Sequence, residues 1–123
     1  MNGEEVIRIC WYLQAVFCGA GVLFAVLSLP MYFEKIPPNR WYGIRTKKTL
    51  ANEVIWYRVN KIGAKYLLYA CLFIFILNVL FLGRFLFHPE HIAWIFIILA
   101  GQVVLGDGAL LIAVGMALFQ VND

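Results

Sequence analysis

The sequence predicts an all-α integral membrane bundle of three transmembrane helices, with a basic cytoplasmic loop that contains an interfacial amphipathic helix. Three observations carry this reading. Of the 123 residues, 63% are hydrophobic and 14% charged, against about 45–50% and 25% in ordinary soluble domains. A soluble fold this small has too much surface per volume to hide that excess, and lipid is the solvent that suits it. The apolar residues fall into three long runs. The charge, finally, is concentrated: eight Lys/Arg and two Glu lie between Glu34 and Lys65, while the rest of the chain holds two Lys/Arg and five acids. The whole chain, residues 1–123, reads as a single membrane domain.

The first run, Ile9 to Phe33, has 25 residues and no charge, enough for the roughly 20 helical residues that cross a bilayer core. It exceeds the 7–15 residues of a typical signal-peptide core, and no A-x-A-like cleavage site follows it, so it reads as a retained helix. Pro30 is placed to end or kink it. The second span covers residues 66–87. Its uncharged part, Tyr66 to Gly83, lies between Lys65 and Arg84, whose long side chains can snorkel and extend it. The third, residues 92–119, carries one charge, Asp107. At 1.5 Å per residue it is longer than the hydrocarbon core, so it must tilt, protrude or break. The short link Phe87–His91 makes spans two and three an antiparallel hairpin. The positive-inside rule places the 34–65 loop in the cytoplasm and the N-terminus outside.

Within the loop, Pro37, Pro38 and Asn39 oppose a regular helix and Gly43 permits a turn. Thr49 is a candidate cap for a helix beginning at Leu50 and running through Asn52, Trp56, Tyr57 and Asn60. Leu50, Val54, Tyr57 and Ile62 recur at roughly helical spacing, and Trp and Tyr favour the membrane interface, so this segment is expected to lie there before the second span.

Four intramembrane residues are candidates for function. A carboxylate near mid-bilayer costs at least about 2.5–3.5 kcal/mol, so Asp107 reads either as a proton or cation site or as a group that holds helices together. Gln14, Asn78 and Gln102 fall in the outer half. Asn78 and Gln102 lie at similar depth on adjacent helices, and a hydrogen bond between them is expected, with a polar ligand pocket as the alternative. Small residues at four-residue spacing (Ala109, Ala113 and Ala117; Ala15 and Gly19; Gly21 and Ala25) indicate close helix packing. Arg40, Arg45, Lys47 and Lys48 in the loop can grip a phosphate or anionic lipid headgroup, or serve only to set topology.

Other chemistries are not indicated. His88 and His91 share a turn with Pro89 and make a weak metal set. Cys10, Cys18 and Cys71 have no close pairing and read as small packing residues. No hydrolase, nucleotide-binding or metalloprotease signature occurs, so no enzyme and no cofactor are expected. The basic block is flanked by apolar spans, which favours lipid over nucleic acid as its partner.

The stretch PPNRWYGIRTKKTLANEVIWYRVNKIGAKY resembles the core domain of the SdpI family of bacterial integral membrane proteins. The matching residues are Pro37, Asn39, Gly43, Arg45, Thr46, Thr49, Leu50, Asn52, Trp56, Asn60 and Gly63; Arg40 lies within the same motif. The flanking helices match in hydropathy. The resemblance implies a non-enzymatic protein of the bacterial inner membrane. The family's namesake gives immunity to an antimicrobial protein toxin and signals by holding a cytoplasmic repressor at the membrane. On that basis the loop is the expected docking surface for a cytoplasmic regulator, and the outer half the expected toxin contact. Two further readings stand beside it. One is a small accessory subunit of a larger membrane complex, or a homo-oligomer. The other is a transporter-like bundle in which Asp107 and Gln102 line an ion or proton path.

Overall fold

The computed structural model describes residues 2–87 and 92–119. They form four helices: α1 Gly3–Tyr32, α2 Lys47–Ala51, α3 Glu53–Phe87 and α4 Ile92–Phe119. Three of these are long and apolar enough to cross a membrane, with mean hydropathies of 1.9, 2.3 and 2.2 over their most apolar stretches. The predicted three-helix membrane architecture is therefore present. The His88–His91 turn lies outside the described residues.

Each helix boundary has a local cause. α1 begins at Gly3, six residues ahead of the apolar run, because Asn2 and Glu5 form a capping box. The Glu5 N–H donates to Asn2 Oδ1 and the Asn2 N–H to Glu5 Oε2, both at 2.9 Å. This reciprocal pair satisfies two donors that a helix start leaves open. Glu4 and Glu5 also face the positive end of the helix dipole. At the other end, Pro30 has no N–H to continue the ladder, and α1 stops two residues later. The Glu34 N–H then donates to the Met31 carbonyl and the Lys35 N–H to the Pro30 carbonyl. This is a Schellman stop, usually built on glycine at the left-handed position.

Here that position is Glu34, with φ 56°. Its carboxylate meets Lys61 Nζ at 3.3 Å, both side chains being half-exposed. An exposed pair of this kind contributes about 0–1 kcal/mol, while a left-handed non-glycine residue costs about 1–2 kcal/mol. Glu34→Gly is accordingly expected to stabilise the chain by up to about 1 kcal/mol, the strain relieved exceeding the ion pair lost. Glu34→Ala keeps the strain, loses the pair and is expected to destabilise. Thermal midpoints of the two variants in one detergent check the opposite signs.

α2 and α3 correct the expected loop helix. Thr46, not Thr49, is the cap: the Thr49 N–H donates to Thr46 Oγ1 at 3.1 Å and the Thr46 N–H to Thr49 Oγ1 at 2.7 Å. Thr49 is the buried third residue of this one-turn helix. Extended backbone at Asn52 (φ −140°, ψ 116°) then ends α2. The Asn52 side chain starts α3 by accepting from the Ile55 N–H at 3.1 Å. Residues 53–65 are therefore the first turns of α3 and not a separate helix before the span. α3 has 35 residues, about 52 Å at 1.5 Å each. The bilayer core is about 30 Å, so several turns of α3 project beyond it.

α3 is the central element. It packs along both α1 and α4, which touch each other little. One apolar cluster, Cys10, Phe81, Ile95 and Leu99, closes the end where α1 begins. Trp11 meets Phe81 edge to face there, with ring centroids 5.7 Å apart. A second cluster, Met31, Trp56 and Ala64, joins Tyr32, Ile36, Tyr42 and Tyr57 at the loop end. Most other large apolar side chains of the three long helices face outward, among them Val16, Leu23, Val104 and Leu111. That exterior is the lipid-facing surface of a membrane protein.

Candidate functional site: the folded basic loop

Residues 33–46 contain no regular secondary structure, yet side chains fix them at almost every step. The Asn39 side chain accepts from the backbone N–H groups of Trp41 (2.9 Å) and Tyr42 (2.7 Å) through Oδ1, and donates through Nδ2 to the Pro37 carbonyl at 2.9 Å. This is the local turn chemistry that asparagine performs well. Trp56, 0% exposed, donates its indole N–H to the Ile36 carbonyl at 2.9 Å. It thus ties the start of the loop to α3 and sits in the core, not at the membrane interface that its residue type suggested.

Ile44 is the point where three elements meet. Its N–H donates to Asn60 Oδ1 at 2.5 Å. Its carbonyl accepts from Thr49 Oγ1 at 3.1 Å and from Asn60 Nδ2 at 3.4 Å. Asn60 is itself buried and donates to the Trp56 carbonyl one turn back at 3.0 Å. One amide on α3 therefore satisfies both backbone groups of a loop residue, which a buried backbone requires. Gly43 makes this approach possible. Its φ is +104°, and a Cβ there would lie 2.5 Å from both Asn60 Oδ1 and Met31 Cε. Gly63 serves from the other side. A Cβ at 63 would lie 2.6 Å from Ile44 Cδ1 and 3.6 Å from the Ala117 Cβ of α4.

The motif residues separate into two groups on this geometry. Asn39, Gly43, Thr46, Thr49, Trp56, Asn60 and Gly63 build the loop, Pro37 supplies a carbonyl to it, and Asn52 caps α3. Arg40 and Arg45 are exposed. The Arg45 guanidinium donates to the Arg40 carbonyl, which holds two cationic side chains on one strap. Lys47 is also exposed. Between the arginines stands Trp41, 91% exposed. The sequence reading did not single out Trp41; an aromatic residue inside a basic block was the available signal. Tyr42 lies half-buried beneath, and burial pushes its phenol above its usual value, so it adds no negative charge beside the arginines. A cleft of about 230 Å³ opens under the strap among Phe24, Ser28, Met31, Asn60, Leu67 and Leu110. Two of its polar members are already engaged, Ser28 by the Phe24 carbonyl and Asn60 as described.

The intramembrane candidates are arranged differently from expectation. Asn78 Oδ1 accepts from Gln14 Nε2, and Asn78 Nδ2 donates to the Ile74 carbonyl at 2.7 Å. The partner of Asn78 is therefore Gln14 on α1, not Gln102 on α4. Hydropathy gave the common depth of these residues, but the rotation of each helix decides which side chains meet. Asp107 is exposed on the outer side of α4, away from the stripe Gln102, Ala113 and Ala117 that packs inward. It does not join Gln102 along an internal path within one chain. Among the described residues no cluster of three or more His, Cys, Asp or Glu could hold a metal ion.

A sequence model described as the SdpI/YfhL protein family matches residues 35–120. That range takes in the folded loop, α2, α3 and α4. No curated protein matches the chain, and no solved structure does.

Proposed function

Since this chain belongs to the SdpI/YfhL family, we propose that it is a non-enzymatic protein of the bacterial inner membrane that acts by binding, in immunity to an antimicrobial protein toxin or in membrane signalling. The observation that supports this reading is the division of labour within the motif. Seven of its residues are spent on holding a loop of 14 residues in one conformation, and what is presented there is Arg40, Trp41, Arg45 and, at the start of α2, Lys47. Ordering a loop costs about 1–2 kcal/mol per residue. Topology alone would need only the charges, not their fixed arrangement. Exposed Trp and Arg on a rigid frame are the residue types that anchor interfaces. With the loop cytoplasmic and the N-terminus outside, the strap would meet anionic headgroups and a cytoplasmic regulator, and the opposite end a toxin.

The test is capture of partners by the tagged full-length protein from native membranes in mild detergent, read by mass spectrometry. One small soluble regulator recovered with the wild type, and reduced about thirtyfold with Arg45→Ala/Lys47→Ala, is the expected result; two charge-assisted contacts at about 1 kcal/mol each give that factor. A stoichiometric set of membrane subunits, unaffected by the double substitution, would replace this reading with that of an accessory subunit.

One observation favours such assembly as a second reading. Asp107 is near the middle of α4, faces out of the bundle, and has no partner among the described residues. Its cost in lipid falls if another helix supplies a hydrogen bond, from a second copy or from a different membrane protein. A transporter role is less well supported, because this carboxyl does not face the bundle interior.

A further inference from the structure

Gln102 is 0% exposed, and neither its Oε1 nor its Nε2 has a hydrogen-bond partner among the described residues; the same holds for Oε1 of Gln14, itself 5% exposed. Such groups are rare in folded proteins, and each calls for a physical explanation. In lipid the penalty is several kcal/mol per group, because no solvent is at hand.

The register of the helices sets these atoms close in depth. The pairing that brings Trp11 against Phe81 also brings Gln14 against Asn78. The alignment that sets Gly63 against Ala117 and Ile74 against Gly106 makes Asn78 level with Gln102. Each of the three spans thus contributes one amide to a single layer. The apolar cluster of Cys10, Phe81, Ile95 and Leu99 seals the layer toward the end where α1 begins. A cleft of about 280 Å³ between α1 and α3 reaches it from the other side at Asn78.

The unused groups define what fits. Two carbonyl oxygens need donors, and one NH2 needs an acceptor. A cation answers the oxygens but not the NH2. It would also bring an unpaired charge into the interior, since Asp107 lies five residues further along α4 and points outward. An anion answers only the NH2. A neutral molecule that both donates and accepts answers all three, and water is the smallest.

We infer that the amide layer is a binding site for one buried water, which donates to Gln14 Oε1 and Gln102 Oε1 and accepts from Gln102 Nε2. With Gln14 Nε2 on Asn78 and Asn78 on the Ile74 carbonyl, the water completes a continuous hydrogen-bonded chain through all three spans. It would also be the polar tie between α1 and α4, which otherwise touch little. Buried waters of this kind make two to four bonds to groups left over by the protein.

The experiment uses the full chain in lipid bilayers with glutamine side chains labelled with 15N. The chain has three glutamines, 14, 102 and 120, so three NH2 signals are assigned by single Gln→Leu variants. Magnetisation transfer from water to the NH2 of Gln102 and, more weakly, of Gln14 is the expected result. Gln102→Leu should abolish the transfer at Gln14. Absence of transfer to Gln102 in the wild-type protein would overturn the inference, because the amide would then close directly onto Gln14. So would undiminished transfer at Gln14 in Gln102→Leu, or a shift of the Gln102 signal when sodium is exchanged for a bulky organic cation.

Discussion

Asn60→Ala is expected to release the basic strap from α3 at a cost of about 3 kcal/mol. The side chain makes three bonds, two of them to the backbone of Ile44. Its removal leaves the Ile44 N–H without its acceptor and weakens the hold on the carbonyl, which Thr49 alone then satisfies. A backbone group stripped of its partner costs about 1–3 kcal/mol, and the space vacated under Gly43 adds a packing loss. The effect should be local before it is global, because the membrane spans do not depend on this contact. Hydrogen exchange at residues 39–46 should rise by orders of magnitude, and trypsin should cut after Arg45 and Lys47 while α1 and α4 remain protected. Unchanged protection of the strap in Asn60→Ala would mean that Thr49 and Trp56 suffice to hold it.

Gly43→Ala should do at least as much damage by a different route. At φ +104° an L side chain is strained whatever the space around it, and the added Cβ would overlap Asn60 Oδ1 and Met31 Cε at 2.5 Å. Methionine can move; the amide of Asn60 cannot without giving up Ile44. Backbone strain of about 1–2 kcal/mol and overpacking of about 1–3 kcal/mol together give a loss of roughly 3 kcal/mol. The two substitutions strike the same junction, so they should not add. Asn60→Ala removes the group with which the new Cβ collides, and the double variant should be little worse than Gly43→Ala alone. Fully additive thermal losses would show that the glycine and the asparagine hold the strap independently.

The three spans were legible because charge marks their limits: Lys65 and Arg84 bracket one run, and Glu34 follows another. Their helices nevertheless extend further than hydropathy indicated. α1 starts at Gly3 because of a capping box, and α3 at Glu53 because Arg58, Lys61 and Lys65 are good helix formers that need only water around them. A hydropathy profile reports the solvent of a residue, not the state of its backbone. The cap at Thr46 was misplaced by three residues because threonines stand at both ends of a T-x-x-T pattern, and either can accept from the other. The loop residues were recognisable as a motif, but not their roles. Nothing local in the sequence brings Asn60 to Ile44, sixteen positions away, or Trp56 to Ile36, twenty away. The azimuth of Gln102 and Asp107 was equally out of reach, since a helix apolar on all sides gives no periodic signal for which face turns inward.

α3 is unbroken from the strap to the far side of the bilayer, and this gives the protein a rigid rod through the headgroup boundary. The 13 residues from Glu53 to Lys65 stand about 20 Å beyond the start of the apolar run. When the rod leans by 10° to match a thinner bilayer, its outer tip sweeps sideways by about 3–4 Å. The strap is tied to the rod at Trp56 and Asn60, between this tip and the base. Whatever rests on Arg40 and Trp41 travels with it by a smaller distance, so the thickness of the membrane and the position of the strap over it are geometrically one variable.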